Sequence, residues 1–323
     1  MRIKRRFWII VSILIIALSA VFVCACRGGD EEVSYIPNDT NGSESLSGNI
    51  EPQIPTYEEI EVLVLMYHDI REYEVRGNSS IISTAAFREQ LETLSRRGYE
   101  VITFDDLIAF VDHGKDLPRR TVVITFDDGH RSNLELAAPI LAELGMSATI
   151  SLIGIQMGKS TYRDTYIRTM PHFDFYEALP WTESGVIQIG HHSYDMHWVD
   201  WIELTWSGAD LTIPFRRGIL QRAGESDAEW RAAFVRDFEL LRDMIYENLG
   251  IDVNVYVYPY GLFNAATEEV LRELGVRVTL TTNPGINLVE HGNPDSLFAL
   301  NRFNMDDDMV GERLARFLDD VWR

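Results

Sequence analysis

The chain has 323 residues, 46% of them hydrophobic, enough for one large core of the size of a single α/β barrel. Its formal net charge of −21 excludes a nucleic-acid partner, because binding phosphates requires a basic surface. Both cysteines, Cys24 and Cys26, stand near the N-terminus, so the rest of the chain cannot form a disulfide within itself.

Arg2, Lys4, Arg5 and Arg6 form a basic cluster, and the stretch from Phe7 to Ala25 carries no charge. This is the pattern of a secretory signal or a single membrane anchor, with the basic end inside and the remainder outside the cytoplasmic membrane. Val23-Cys24-Ala25-Cys26 resembles a bacterial lipoprotein cleavage box with Cys26 as the lipidated residue; an uncleaved helix is the alternative. Residues 1–26 are thus a leader or anchor. Residues 27–58, rich in Ser, Asn, Asp, Glu, Gly and Pro, read as a flexible tether. Residues 59–323 carry the folded domain.

Val62-Leu63-Val64-Leu65-Met66-Tyr67 is predicted to be a strand that ends at His68. Phe87, Leu91 and Leu94 keep helical spacing up to Gly98. Thr121-Val122-Val123-Ile124 reads as a buried strand leading into Thr125-Phe126-Asp127-Asp128-Gly129. Two carboxylates at a strand end are costly to place unless they bind or react with something. Side-chain alternation relaxes at a strand terminus, so both can reach one pocket, one holding a metal while the other handles a proton. The bland reading is a surface Asp-Gly turn.

Leu134, Ala137, Ile140 and Leu141 form a helical stripe before Gly145, and the strand Ala148–Leu152 follows. Val186–Gly190 reads as a strand end leading into His191-His192-Ser193-Tyr194-Asp195-Met196-His197, which holds three of the chain's 8 histidines. Neutral imidazole is the commonest side-chain metal ligand, and two histidines with one carboxylate leave a coordination position open for water. Trp198–Trp206 fits neither period; its three tryptophans pack an inserted loop or stack on sugar rings. Ser226 and Glu229 make a capping box for a helix with the stripe Trp230, Phe234, Phe238, Leu241 and Ile245. Val253–Val257 precedes Tyr258-Pro259-Tyr260-Gly261, Asn264 caps a shorter helix ending at Gly275, and Val276–Thr282 is the next strand. Alternating strands and helices argue for an α/β fold with a parallel sheet, though periodicity does not separate an open sheet from a barrel.

Taken in order, Thr125–Gly129, His192 with His197, and Tyr258–Gly261 resemble the motifs of the polysaccharide deacetylase (NodB-homology) family, over roughly Val62 to Phe303. The resemblance implies a distorted (β/α) barrel, usually of seven strands. It implies Asp127 as general base and Asp128, His192 and His197 as ligands of a divalent metal, Zn2+ first, with Co2+ or Ni2+ as substitutes. Pro259 and Tyr260 match the third motif, and the Tyr260 amide is the expected oxyanion donor.

The departures from the pattern are specific. Four residues, Ser193 to Met196, separate the two histidines where the family commonly has three, a spacing similar to the subgroup that deacetylates poly-N-acetylglucosamine. The arginine usual before the third motif's proline is missing, with Val257 and Tyr258 in its place, and the fourth and fifth motifs are not visible. His68, at the end of the first strand, is the expected general acid, as in that subgroup and as a barrel's strand-end chemistry suggests. His291, in a turn-rich loop, is its rival. His113, His130 and His172 read as ordinary. Arg302, in Leu300-Asn301-Arg302-Phe303, is a candidate to orient Asp127 in place of the missing arginine.

The expected activity is metal-dependent removal of N-acetyl groups from an N-acetylglucosamine-containing polysaccharide of the cell envelope. Two alternatives stand beside it. One is the same site acting on peptidoglycan or a small acylated molecule; the other is a surface-tethered sugar-binding protein whose catalysis has decayed. The sequence leaves the polymer and the oligomeric state open.

Overall fold

The computed structural model describes residues 58–321 apart from Arg76, Ser207 and Gly208, with Val199–Arg217 described by backbone alone. The leader, Cys26 and nearly all of the tether lie outside the described residues. Among the described residues, no helix is long and apolar enough to cross a membrane.

Thirteen strands are described: β1 (Glu59–Tyr67), β2 (Asp69–Arg71), β3 (Ile81–Ser83), β4 (Glu100–Val101), β5 (Thr121–Phe126), β6 (Ala148–Leu152), β7 (Ile187–His191), β8 (Val199–Trp206), β9 (Ala209–Arg217), β10 (Val255–Val257), β11 (Val278–Leu280), β12 (Asn287–Glu290) and β13 (Phe303–Asn304). The helices between them are α1 (Thr84–Arg96), α2 (Phe104–His113), α3 (Ala138–Leu144), α4 (Phe175–Glu183), α5 (Asp227–Leu249), α6 (Ala265–Glu273) and α7 (Gly311–Val321).

The main sheet runs β11-β10-β7-β6-β5-β1-β12, seven strands, with β4 paired to β5 and β13 paired to β1. All of these pairings are parallel except β12 on β1. The sheet curls, and the strip from Leu300 to Asn304 forms a seam that joins β11 at one end to β1 near the other. Leu300 bridges Leu280 in parallel, and Phe303 and Asn304 pair with Leu65 and Met66. Leu300 N–H donates to Thr279 O at 2.8 Å and Thr281 N–H to Leu300 O at 2.9 Å. The result is a distorted (β/α) barrel.

Side-chain alternation sorts each strand into two faces. Leu63, Leu65, Val122, Ile124, Ile150, Ile187 and Ile189 pack with α1, α3, α4 and α5 in one cluster. Val62, Val64, Val123, Val255, Val257, Val278 and Leu280 form a second cluster with Phe104, Leu107, Phe110 and Val111 of α2. Burial on both faces explains why β1 and β5 read as continuous apolar runs.

Local sequence sets the helix ends. The side chains of Thr103, Ser226 and Asn264 cap α2, α5 and α6 in reciprocal boxes with Asp106, Glu229 and Thr267. Gly114 and Gly250 end α2 and α5 at φ 70° and 68°, a conformation glycine takes without strain. Before α3 the chain makes one π turn, Asn133–Ala137. Pro139 lacks the amide that an unbroken α-helix would give to the Glu135 carbonyl, and the preceding turn widens. Two expectations are corrected here. Trp198–Trp206 is not an irregular loop, because Val199–Trp206 pairs antiparallel with Ala209–Arg217 as a hairpin. The strand expected over Val276–Thr282 is shorter, Val278–Leu280.

Candidate active site

The C-terminal ends of β1, β5, β7 and β10 deliver His68, Asp127, Asp128, His192 and Pro259 to one mouth of the barrel. Alternation decides which neighbour faces it. His191, the last residue of β7, points to the helix side, stacks on Phe238 and Tyr256, and contacts Phe238 O through Nε2 at 3.0 Å. His192 therefore faces the site, with Nε2 3.7 Å from Asp128 Oδ1.

Asp127 and Asp128 share the mouth because the chain breaks the strand period between them. Asp128 takes φ 74°, a left-handed conformation that costs a non-glycine residue about 1 kcal/mol or more. Asn133 secures the same corner, its Nδ2 donating to His68 O at 2.7 Å.

Asp127 is 2% exposed and meets the fully buried Arg302 in a two-pronged pair. Arg302 Nη1 donates to Oδ1 at 2.7 Å and Nη2 to Oδ2 at 2.8 Å. Its Nε donates to Thr281 O at 2.7 Å and its Nη1 also reaches Thr125 Oγ1 at 3.1 Å. The guanidinium thus comes from the seam strip that closes the barrel. Burial works to raise the Asp127 carboxyl, but the charge and hydrogen bonds of Arg302 hold it below the ordinary carboxylate value. His68 Nε2 stands 3.8 Å from Asp127 Oδ2.

Asp128, His192 and His197 each offer one ligand atom, all within 4.8 Å of one another. Three observations fit a divalent ion at this point. Asp128 Oδ1 is buried without a hydrogen-bond partner. It faces both imidazoles, His192 Nε2 and His197 Nε2 each at 3.7 Å. His192 Nδ1 contacts Val257 O at 2.9 Å, which places its proton there and leaves the Nε2 lone pair free. Burial, then the neighbouring His197, lowers the His192 pKa to about 4, so it is neutral and able to ligate. Mixed nitrogen and oxygen donors suit zinc. The His197 ring lies between those of His192 and Tyr260, each with centroids 4.6 Å away. Tyr260 adopts φ 59° in the short turn Pro259–Gly261.

Two of the three histidines read as ordinary, His130 and His172, need correction. His130 Nε2 stands 3.2 Å from Asp128 Oδ2, the carboxylate oxygen other than the one nearest His192 and His197. Its ring lies 4.9 Å from that of His172, and a backbone bridge joins the two. Burial would raise the Asp128 carboxyl, but the His130 contact and the surrounding imidazoles hold it well below the carboxylate range. Both histidines line a cavity of about 200 Å³ together with Asp128, Tyr162, Arg163, Asp195 and His197. The only sequence signal for this pair is that His130 follows the Asp-Asp-Gly turn; His172 carries none. His291 is also corrected: it follows β12, whose Glu290 pairs with Glu59 at the start of β1, so it sits at the opposite end of the barrel from His68. There it lies against Phe110, where it cannot serve as the acid.

The polysaccharide deacetylase family model matches residues 114–279, about half of the chain. The YxkH protein of Bacillus subtilis strain 168 is 24% identical over 270 residues, 83% of this chain and 80% of that protein. A poly-beta-1,6-N-acetyl-D-glucosamine N-deacetylase of Escherichia coli K12 is 22% identical over 236 residues, 69% of this chain but only 34% of that protein. The solved structure of a de-N-acetylase from Aggregatibacter actinomycetemcomitans superposes with a TM-score of 0.65 at 19% identity, covering 80% of this chain and 99% of that one, a likeness of fold. The family match spans the Asp-Asp-Gly turn, both clustered histidines and the Tyr-Pro-Tyr-Gly turn, and the chain is a deacetylase belonging to the polysaccharide deacetylase family.

Proposed function

We propose that this chain removes N-acetyl groups from an N-acetylglucosamine-containing polysaccharide outside the cytoplasmic membrane, using a divalent ion, zinc first, held by Asp128, His192 and His197. The observation that carries the reading is the division of labour at the barrel mouth. Asp127 is locked onto Arg302 beside His68, while Asp128 turns its unpartnered Oδ1 to two imidazoles. The name of the Escherichia coli relative supplies the substrate class.

A bound divalent ion would supply polarisation of the acetyl carbonyl and a lowered pKa for water. The chain's own residues do the rest. Asp127, kept ionised by Arg302, takes the proton of the attacking water. The Tyr260 amide stands as donor to the developing oxyanion. His68 gives a proton to the departing amine. Arg302 touches no substrate; it holds Asp127 in one orientation.

Localisation follows from the N-terminal pattern: lipidated Cys26 or an uncleaved helix holds the domain at the envelope. The decayed-binder alternative is disfavoured because Asp127, Asp128, His192 and His197 are all present and gather with His68 at one mouth. Incubating the purified protein with N-acetylglucosamine oligomers tests the proposal. Free amine and acetate should appear, stop on chelation and return with zinc. Release of acetate only from peptidoglycan fragments or small acylated molecules would replace the substrate, and no release from any would overturn the reading.

A further inference from the structure

The loop between His192 and His197 has little secondary structure to hold it, yet each of its four amides has an acceptor. Ser193 N–H donates to His191 Nδ1 at 3.0 Å, and Met196 N–H to Ser193 Oγ at 3.2 Å. The two in the middle go to one side chain from outside the loop. Tyr194 N–H donates to Asp237 Oδ2 at 2.8 Å and Asp195 N–H to Asp237 Oδ1 at 2.7 Å. Asp237 belongs to α5, is 7% exposed, and lies on the helix face that also buries Phe234, Phe238 and Leu241. A carboxylate there loses its water, so two charge-assisted bonds to consecutive amides are what make the position tenable.

The loop needs such a partner. Ser193 sits at φ 72°, so the chain turns sharply out of β7 and exposes successive amides that no strand can satisfy. The loop carbonyls are fixed by a second segment, Ser193 O by Gly154 N–H at 3.0 Å and Tyr194 O by Ile155 N–H at 2.8 Å. Gly154 is required for that approach: a Cβ there would come within 2.6 Å of the Tyr194 ring. His192 is oriented by its own strand and by Val257 O, whereas His197 depends on the path of the loop that precedes it.

We propose that Asp237 is a positioning residue for the metal ligand His197, its carboxylate clamping the Tyr194 and Asp195 amides so that the four-residue loop returns His197 to Asp128 and His192. The inference rests on the reading of those three residues as a metal site. Groups that orient metal ligands typically change affinity 10–100-fold when removed.

Asp237→Asn is nearly isosteric but replaces one acceptor with a donor, which would face an amide N–H. Zinc affinity of the metal-free protein, measured by competition with a chromophoric chelator, should fall about 10–100-fold in Asp237→Asn. Circular dichroism and the urea midpoint report separately on the fold. Zinc affinity equal to wild type in folded Asp237→Asn overturns the proposal, whatever its midpoint, because a merely structural residue would shift only the latter. If that variant does not fold, Asp237→Glu keeps both acceptors on a longer stem. A several-fold loss of zinc affinity there supports the clamp, and none overturns it. His197→Ala sets the floor expected for a lost ligand. Failure of the wild-type chain itself to bind zinc would instead defeat the metal-site reading on which the clamp depends.

Discussion

Arg302 supplies what water would otherwise give Asp127: two aligned donors and a compensating charge for a carboxylate that is almost wholly buried. Removing one partner of such a pair leaves the other charge buried, at a cost of about 3–5 kcal/mol. Arg302→Met should lower the stability in urea by about that amount and nearly abolish turnover; Arg302→Lys keeps the charge but loses the fork, and should fall between. A methionine variant as stable as wild type would show the pair contributes nothing net. Asp127→Asn should be inactive with its zinc content unchanged, and His68→Ala should slow turnover by about 10²–10⁴-fold. Zinc lost with Asp127 would mean that the two aspartates exchange roles. The pairing partner of Asp127 lies 175 residues away, and its one sequence signal is the absence of the usual arginine before the third motif's proline. The approach of His130 to Asp128 and its bridge to His172 join residues that no local pattern in the chain connects.

At the scale of elements, legibility tracked how much of the signal was local. The α5 box of Ser226 and Glu229 is four residues of sequence and forms as read, with Ser226 Oγ accepting from Glu229 N–H at 3.3 Å and donating to Glu229 Oε2 at 2.7 Å. Ser226→Ala should cost about 1 kcal/mol. That variant should leave zinc affinity in the folded protein near wild type, because the cap lies about three turns from Asp237; thermal melts and the same chelator competition check both halves. Nothing in the stripe Trp230, Phe234, Phe238, Leu241 and Ile245 sets Asp237 apart from the other charges of α5, because its meaning needs the loop it meets. The β8–β9 hairpin is hard to read because its apolar residues do not alternate cleanly and Pro214 interrupts β9. The available signal was the short Ser207-Gly208 link between two extended runs. Whether Trp201 and Trp206 touch a sugar lies outside the described side chains.

For the whole molecule, strand–helix alternation indicated parallel pairing but not closure, because the seam strip Leu300–Asn304 is too short to carry a strand pattern of its own. Packing buries two imidazoles, His191 on the helix side against Phe238 and Tyr256 and His172 in the cavity beside Asp128, and this sets the acid stability of the fold. Burial, with the neighbouring His130, lowers the His172 pKa from 6.5 to about 4. Burial lowers that of His191 from 6.5 to about 3. In the unfolded chain both take up a proton near pH 6.5, whereas the folded chain refuses it until far lower pH. The unfolded state therefore binds more protons throughout that window. Stability is fully present above pH 6.5 and drains as pH falls toward 4, by on the order of 3 kcal/mol for His172 alone. Urea unfolding of the metal-free protein, followed from pH 7 to 4.5, should show the free energy falling with acid. His172→Gln should flatten that fall while shifting the pH 7 value by its own separate packing cost. Glutamine keeps a polar side chain in the cavity but has no proton to gain, so the slope rather than the absolute stability isolates the titration. An unaltered slope in His172→Gln would mean that the imidazole is hydrated, and that the cavity beside Asp128 admits more water than its buried walls imply.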